Sequence, residues 1–127
     1  MIRILVIGVG GFVGSILRYL LSGFVQQLSG SAAFPLGTFA VNVVGCIVIG
    51  FLAYVADIHA GLSSLQRAFL IIGVLGGFTT FSAFANESMS LLQDGESWLA
   101  LLNIVGQVVL CLGAVWLGRY IAYSIWR

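Results

Sequence analysis

The sequence predicts an all-α membrane protein with four transmembrane helices in one small domain and the third helix broken mid-membrane. Three observations carry this reading. Of the 127 residues, 61% are hydrophobic and only 7% charged, against about 25% charged in an ordinary soluble domain. The charges are five Arg, two Asp and two Glu, with no Lys, too few to clothe a water-soluble surface. They also leave long stretches free of charge, residues 4–17, 19–56, 68–86 and 97–118. Disorder is excluded by the apolar content, and a net charge of +1 leaves no basic field for nucleic acid.

Four runs reach the roughly 20 residues that a helix needs to cross about 30 Å of hydrocarbon: residues 3–25, 36–56, 66–92 and 97–124. They must be helices, because an open sheet would leave backbone groups unpaired in lipid. No linker, internal repeat or second domain interrupts residues 1–127. Four of the five arginines (Arg3, Arg67, Arg119 and Arg127) fall on the side that carries both termini. That bias favours both termini in the cytoplasm; the bacterial inner (plasma) membrane is the expected location of this multi-pass chain.

Span one opens with Val6-Ile7-Gly8-Val9-Gly10-Gly11-Phe12-Val13-Gly14, which imitates a dinucleotide-binding fingerprint. The fingerprint also needs a βαβ unit and an acidic residue about 20 positions on, and the first acid here is Asp57. Gly10 and Gly14, one helical turn apart, read instead as a small-residue seam between helices. Arg18 continues that face. It either snorkels to the interface, about two turns from the end of this span, or anchors structure inside the protein. The following Ser/Gly/Ala-rich loop covers residues 26–34, and Pro35 starts the next helix.

Span two carries Thr38, Asn42, Cys46 and Gly50 on one face. Span four repeats the pattern with Asn103, Gln107 and Cys111. Such amides either bond helices together or line a polar path, and a row of them on two helices favours the path. Cys46 and Cys111 lie deep in the predicted spans and are expected to be free thiols. No cluster of metal-ligating side chains is visible. Between spans two and three, Asp57, His59 and Arg67 mark a polar loop, and Gln93-Asp94-Gly95-Glu96 turns span three into span four.

Span three is the most informative segment: Gly73-Val74-Leu75-Gly76-Gly77-Phe78-Thr79-Thr80-Phe81-Ser82-Ala83-Phe84. Paired glycines followed by paired β-branched threonines make a poor helix. Unwinding is expected there, with freed carbonyls able to hold a hard cation. The phenylalanines that follow present ring edges, which are electropositive and can meet a small anion without any cationic side chain.

These residues resemble the Fluc (CrcB-type) fluoride channel family along essentially the whole chain. The resemblance rests on Gly14 to Arg18-Tyr19, on Pro35-Leu36-Gly37-Thr38 with Asn42, on the run Gly76 to Phe84, and on Ala100-Leu101-Leu102-Asn103. It implies an antiparallel, dual-topology homodimer in the lipid bilayer with two fluoride pores. Phe81 and Phe84 would meet fluoride with their ring edges, and Asn42, Thr38 and Ser82 would line the path. Gln107 and Cys111 would stand on the span-four wall, where other polar residues are common. Ala83 replaces a frequent threonine. Glu87 would lie at a pore mouth, and the backbone carbonyls of Gly76 and Thr79 from both subunits would hold one structural Na+. The implied activity is passive export of cytoplasmic fluoride, with no enzymatic chemistry. Two alternatives remain at this point: a small proton-coupled multidrug exporter, which would need an acid that span one lacks, and a non-transporting membrane assembly protein.

Overall fold

The computed structural model describes residues 1–58 and 61–126; His59 of the predicted polar loop and Arg127 of the charge count lie outside the described residues. The elements in order are α1 (Ile2–Ser29), α2 (Leu36–Ile58), α3 (Ser64–Arg67), a π-helical segment (Ala68–Leu75), α4 (Gly76–Phe78), α5 (Phe81–Gln93) and α6 (Ser97–Ile125). Four helical stretches are long and apolar enough to cross a membrane, the third running from Ser64 to Gln93 through the break. The chain is an all-α, four-span membrane protein with a bent third span.

The first span is longer than the sequence suggests. α1 runs to Ser29 and ends on Gly30 in the left-handed conformation (φ 61°), a backbone that glycine adopts without strain. Gln26 explains the short loop that follows. Its Nε2 donates to the carbonyls of Ser31 (2.6 Å) and Phe34 (3.1 Å), and its Oε1 accepts from the Gly37 amide (3.0 Å). One side chain thus satisfies the loop and the first turn of α2, so the predicted loop 26–34 begins only after Ser29. Arg18 is consequently about three turns from the helix end rather than two, and it is half-buried.

The glycine seam is real. A Cβ at Gly14 would strike the Val74 carbonyl, and one at Gly10 would lie 2.7 Å from the Phe69 carbonyl and 2.9 Å from the Gly73 Cα. α1 therefore meets the π-helical segment backbone to backbone, the packing that small residues permit in lipid. α2 and α6 form the most extensive helix pair. They approach as closely: a Cβ at Gly50 would strike the Val115 carbonyl, and one at Gly118 the Ile47 carbonyl.

The third span breaks at Thr79 (φ −82°, ψ 158°) and Thr80 (φ −151°, ψ 115°), both extended. The break falls within the expected Gly76–Thr80 stretch but takes only its threonines: Gly76 and Gly77 lie in α4. Gly77 serves close approach instead, since a Cβ there would lie 2.5 Å from the Gly11 carbonyl. The threonines break the helix because β-branched residues accept extended backbone readily and because the Asn42 side chain takes the Thr80 amide in place of its helical carbonyl. The Thr79 amide and hydroxyl both donate to the Leu75 carbonyl (3.0 Å each). The Thr80 hydroxyl caps α5 by accepting from the Ala83 amide (3.2 Å). The π winding of Ala68–Leu75, eight residues long, is a departure that the sequence reading does not contain.

Candidate functional site

The broken span is stitched to α2 by one side chain. Asn42, 8% exposed, accepts from the Thr80 amide through Oδ1 (2.9 Å) and donates through Nδ2 to the Thr80 carbonyl (3.1 Å). Nδ2 also donates to Gln107 Oε1 on α6 (2.7 Å). The Thr80 amide is thereby diverted from the Gly76 carbonyl four residues earlier, its partner in a continuous helix.

From Gln107 the bonds run on. Gln107 Nε2 donates to Asn103 Oδ1 (3.3 Å), Asn103 Nδ2 to Ser88 Oγ (2.9 Å), and Ser88 Oγ to the Phe84 carbonyl (2.8 Å). Asn103 and Gln107 are 0% and 4% exposed. The amide row of α6 therefore acts as glue between helices, and the same row meets the cavity through Gln107. Neither Thr80 nor Ser88 was among the candidates drawn from the sequence. Thr80 was findable as a helix-capping threonine three residues before Ala83, whereas Ser88 gave no local signal.

A cavity of about 530 Å³ opens beside this network, lined among others by Asn42, Gly76, Thr79, Phe81, Phe84 and Gln107. Cys46 and Cys111 also line it, both as free, half-buried thiols. The structure thus brings seven of the predicted site residues to one cleft, together with Cys46, without any charged side chain. Phe84 is buried while Phe81 is 78% exposed at the rim. Their rings meet edge to face with centroids 5.3 Å apart and planes at 62°, the arrangement favoured by the ring quadrupole. Phe78 faces elsewhere, packed with Val41 and Leu75 in the core. Ser82 is exposed next to Phe81, its Oγ 3.2 Å from Thr80 Oγ1.

Thr38 and Glu87 form a second polar place. The Thr38 hydroxyl donates to Glu87 Oε1 (2.5 Å), and both line a separate cavity of about 320 Å³ with Ser22, Gln26, Ser90 and Asp94. This cavity lies toward the 30–35 loop, in keeping with a mouth rather than a mid-membrane site. Glu87 Oε2 is buried without a protein partner. Arg18 joins neither cavity. Among the described residues no group of three or more metal-ligating side chains exists.

Comparison with known proteins agrees with this architecture. The family model described as "CrcB-like protein, Camphor Resistance (CrcB)" matches residues 5–119. The chain is 46% identical to the "Fluoride-specific ion channel FluC" of Opitutus terrae, over 95% of this chain and 92% of that one. It is 49% identical to the protein of the same name from Geobacter sulfurreducens, over 93% and 94% of the two chains. It is 42% identical to "Fluoride-specific ion channel FluC 1" of Methanosarcina acetivorans, over 98% and 94%. A match of this depth along almost the full length, on four spans with a broken third, makes the chain a member of the CrcB (Fluc) family, a multi-pass membrane protein and not an enzyme.

Proposed function

We propose that this protein is a passive, fluoride-selective channel that works as an antiparallel homodimer with two pores and exports cytoplasmic fluoride. The observation that carries the reading is the cleft in which the Phe81–Phe84 ring pair adjoins the Asn42–Thr80 clamp and Gln107. The names of the relatives supply the ion.

The physical logic follows from the size of fluoride. Its tightly held water must be replaced by donors, yet binding that is too strong stops conduction. Asn42 offers N–H groups, Ser82 a hydroxyl, and Phe81 and Phe84 weak C–H donors at their ring edges. Both N–H groups of Asn42 are engaged, one with Thr80 and one with Gln107. A passing fluoride would take the one shared with Gln107, since the Thr80 pair also holds the backbone break. Thr38 and Glu87 stand at a mouth. Each anion leaving a cell gains about 2.3 kcal/mol per 100 mV of inside-negative potential, so no other energy source is required.

The dimer is supported by the cleft being open on one side with Phe81 at its edge. A second copy would close it. A structural Na+ at the centre of the dimer fits the same backbone. The Gly76 carbonyl loses its helical donor to Asn42, and Gly76 is exposed with only the Ile71 carbonyl near an added Cβ, at 3.9 Å. Carbonyls of Gly76 and Thr79 from two subunits would provide the oxygen ligands that a hard cation takes.

The test is anion efflux from liposomes holding the purified protein, fluoride against chloride. Rapid fluoride release with chloride retained is expected. Equal release of both ions would overturn the selectivity, and release of neither would favour a non-transporting assembly role.

A further inference from the structure

The facing rows of α2 and α6 keep one register. Asn42 bonds Gln107 across an offset of 65 residues. The same offset relates Cys46 to Cys111 one turn along, and Gly50 to Val115, which touch, one turn further. The helices are parallel, in backbone contact at that last layer, and cannot spread at the layer before it. The two thiols therefore share one layer of the α2–α6 pair, and both open onto the cleft.

We propose that Cys46 and Cys111 form a two-thiol site for a soft divalent cation that coordinates linearly, of which the mercuric ion is the type. Three features select this class. Sulfur ligands favour soft ions over hard ones. Zinc takes four ligands in a tetrahedron, and no third metal-ligating side chain joins the pair among the described residues. The cleft also has no charged lining residue. Two thiolates around a divalent ion make a neutral unit, whereas a monovalent ion would leave a net negative charge with no counter-ion in an apolar place. With mercuric chloride, two S–H and two Hg–Cl bonds break and two S–Hg bonds form. Two protons and two chlorides leave to water, and no electron is transferred.

The bridge would pin α2 to α6 beside Gln107 and fill the cleft. Its effect on flux rests on the channel reading above, while its formation does not. The test uses the purified dimer titrated with mercuric chloride, and the parallel Cys46→Ser, Cys111→Ser, Cys46→Ala and Cys111→Ala chains, each checked by elution profile. In the parent, intact mass is expected to show one mercury per chain in place of two hydrogens, with both thiols lost to maleimide labelling. Each single variant should hold at most one mercury with a retained chloride. Two mercury atoms per parent chain, or one with a thiol still labelled, would overturn the site. Fluoride efflux is then read on the same samples, each relative to its untreated self. Block in the parent alone supports the placement beside the pore. A bridged parent with undiminished efflux keeps the site and removes that cleft as the path.

Discussion

Asn42 pairs with Thr80 as one peptide group pairs with another, accepting from its amide at 2.9 Å and donating to its carbonyl at 3.1 Å. A side chain on α2 thereby satisfies both polar groups of a residue that has left the helical ladder inside an apolar span. Lipid could satisfy neither. The break in the third span is therefore a contact between helices as much as a local property of the backbone.

Removal of that clamp has a definite cost. Asn42→Ala takes the side-chain partners from the amide and carbonyl of half-buried Thr80, at up to about 1–3 kcal/mol each. Thermal unfolding in detergent should shift well below the parent, while Asn42→Gln, which lengthens the same amide, should recover only part of the loss. An unchanged midpoint for Asn42→Ala would show that the break is held otherwise.

The glycine seams separate sharply from the idle glycines. Gly14→Ala forces a methyl into the Val74 carbonyl and Gly118→Ala into that of Ile47, whereas Gly8, Gly23 and Gly113 have nothing within 4 Å of an added Cβ. The first two variants should lose yield and monodispersity by size-exclusion chromatography. Ala at the other three should match the parent or exceed it by about 0.5–1 kcal/mol, the gain expected from replacing glycine in a helix.

The phenylalanines divide by environment. Phe81→Ile and Phe84→Ile are expected to keep the dimer and slow fluoride efflux severely. Phe78 lies in the core with Val41 and Leu75, so Phe78→Ala should instead destabilise by about 3–5 kcal/mol. Phe78→Leu, which largely refills that space, should conduct near the parent rate. The pairing of efflux with an unfolding midpoint for each variant distinguishes the two kinds of defect.

In the Thr38–Glu87 cavity, Thr38→Val removes the sole hydrogen bond donated to Glu87 Oε1 among the described residues and should cost about 1.5–3 kcal/mol, the range for a bond to a charged group. Glu87→Gln keeps an acceptor for Thr38 and removes a charge whose second oxygen is buried without a protein partner. Its unfolding midpoint should equal or exceed that of the parent. A marked fall would mean that this oxygen has a partner outside the protomer.

If backbone carbonyls hold the proposed cation, its removal should be felt by the assembly. Exchange of Na+ for N-methylglucamine should lower the unfolding midpoint of the dimer, with recovery on adding Na+ back. Full stability in sodium-free medium would argue against the site.

Much of this was legible because lipid makes strict demands. Every span was visible as a long apolar run with few charges, and the Gly10–Gly14 seam followed from spacing alone. The errors have physical causes. Residues 26–29 looked like loop because their composition is polar, but Gln26 closes the loop with three hydrogen bonds that only the folded chain reveals. The break was expected across the glycines and threonines of Gly76–Thr80, and only its threonine half unwinds. The missing side chain of Gly77 is used instead to let α1 approach at Gly11, and the contact from Asn42 holds the break at Thr80. Each amide row was correctly placed on one face of its helix, but spacing could not say that Asn42 would meet Gln107 or that Asn103 would be spent on Ser88. The π winding of Ala68–Leu75 has no periodic signature in eight apolar or small residues.

The parallel pairing of α2 with α6 also bears on how the chain is made. Gln107 reaches Asn42 only after the whole third span and the turn at Gly95 have been synthesised. Until then Asn42 faces lipid with no α6 to receive its second N–H, and Gly50 and Ile47 present a bare groove. Early spans must therefore wait in the bilayer in an incompletely satisfied state. A chain truncated before Ser97 would keep three spans and their hydrophobicity, yet expose intramembrane amide and backbone polarity of the kind a membrane quality-control protease could distinguish from a finished subunit.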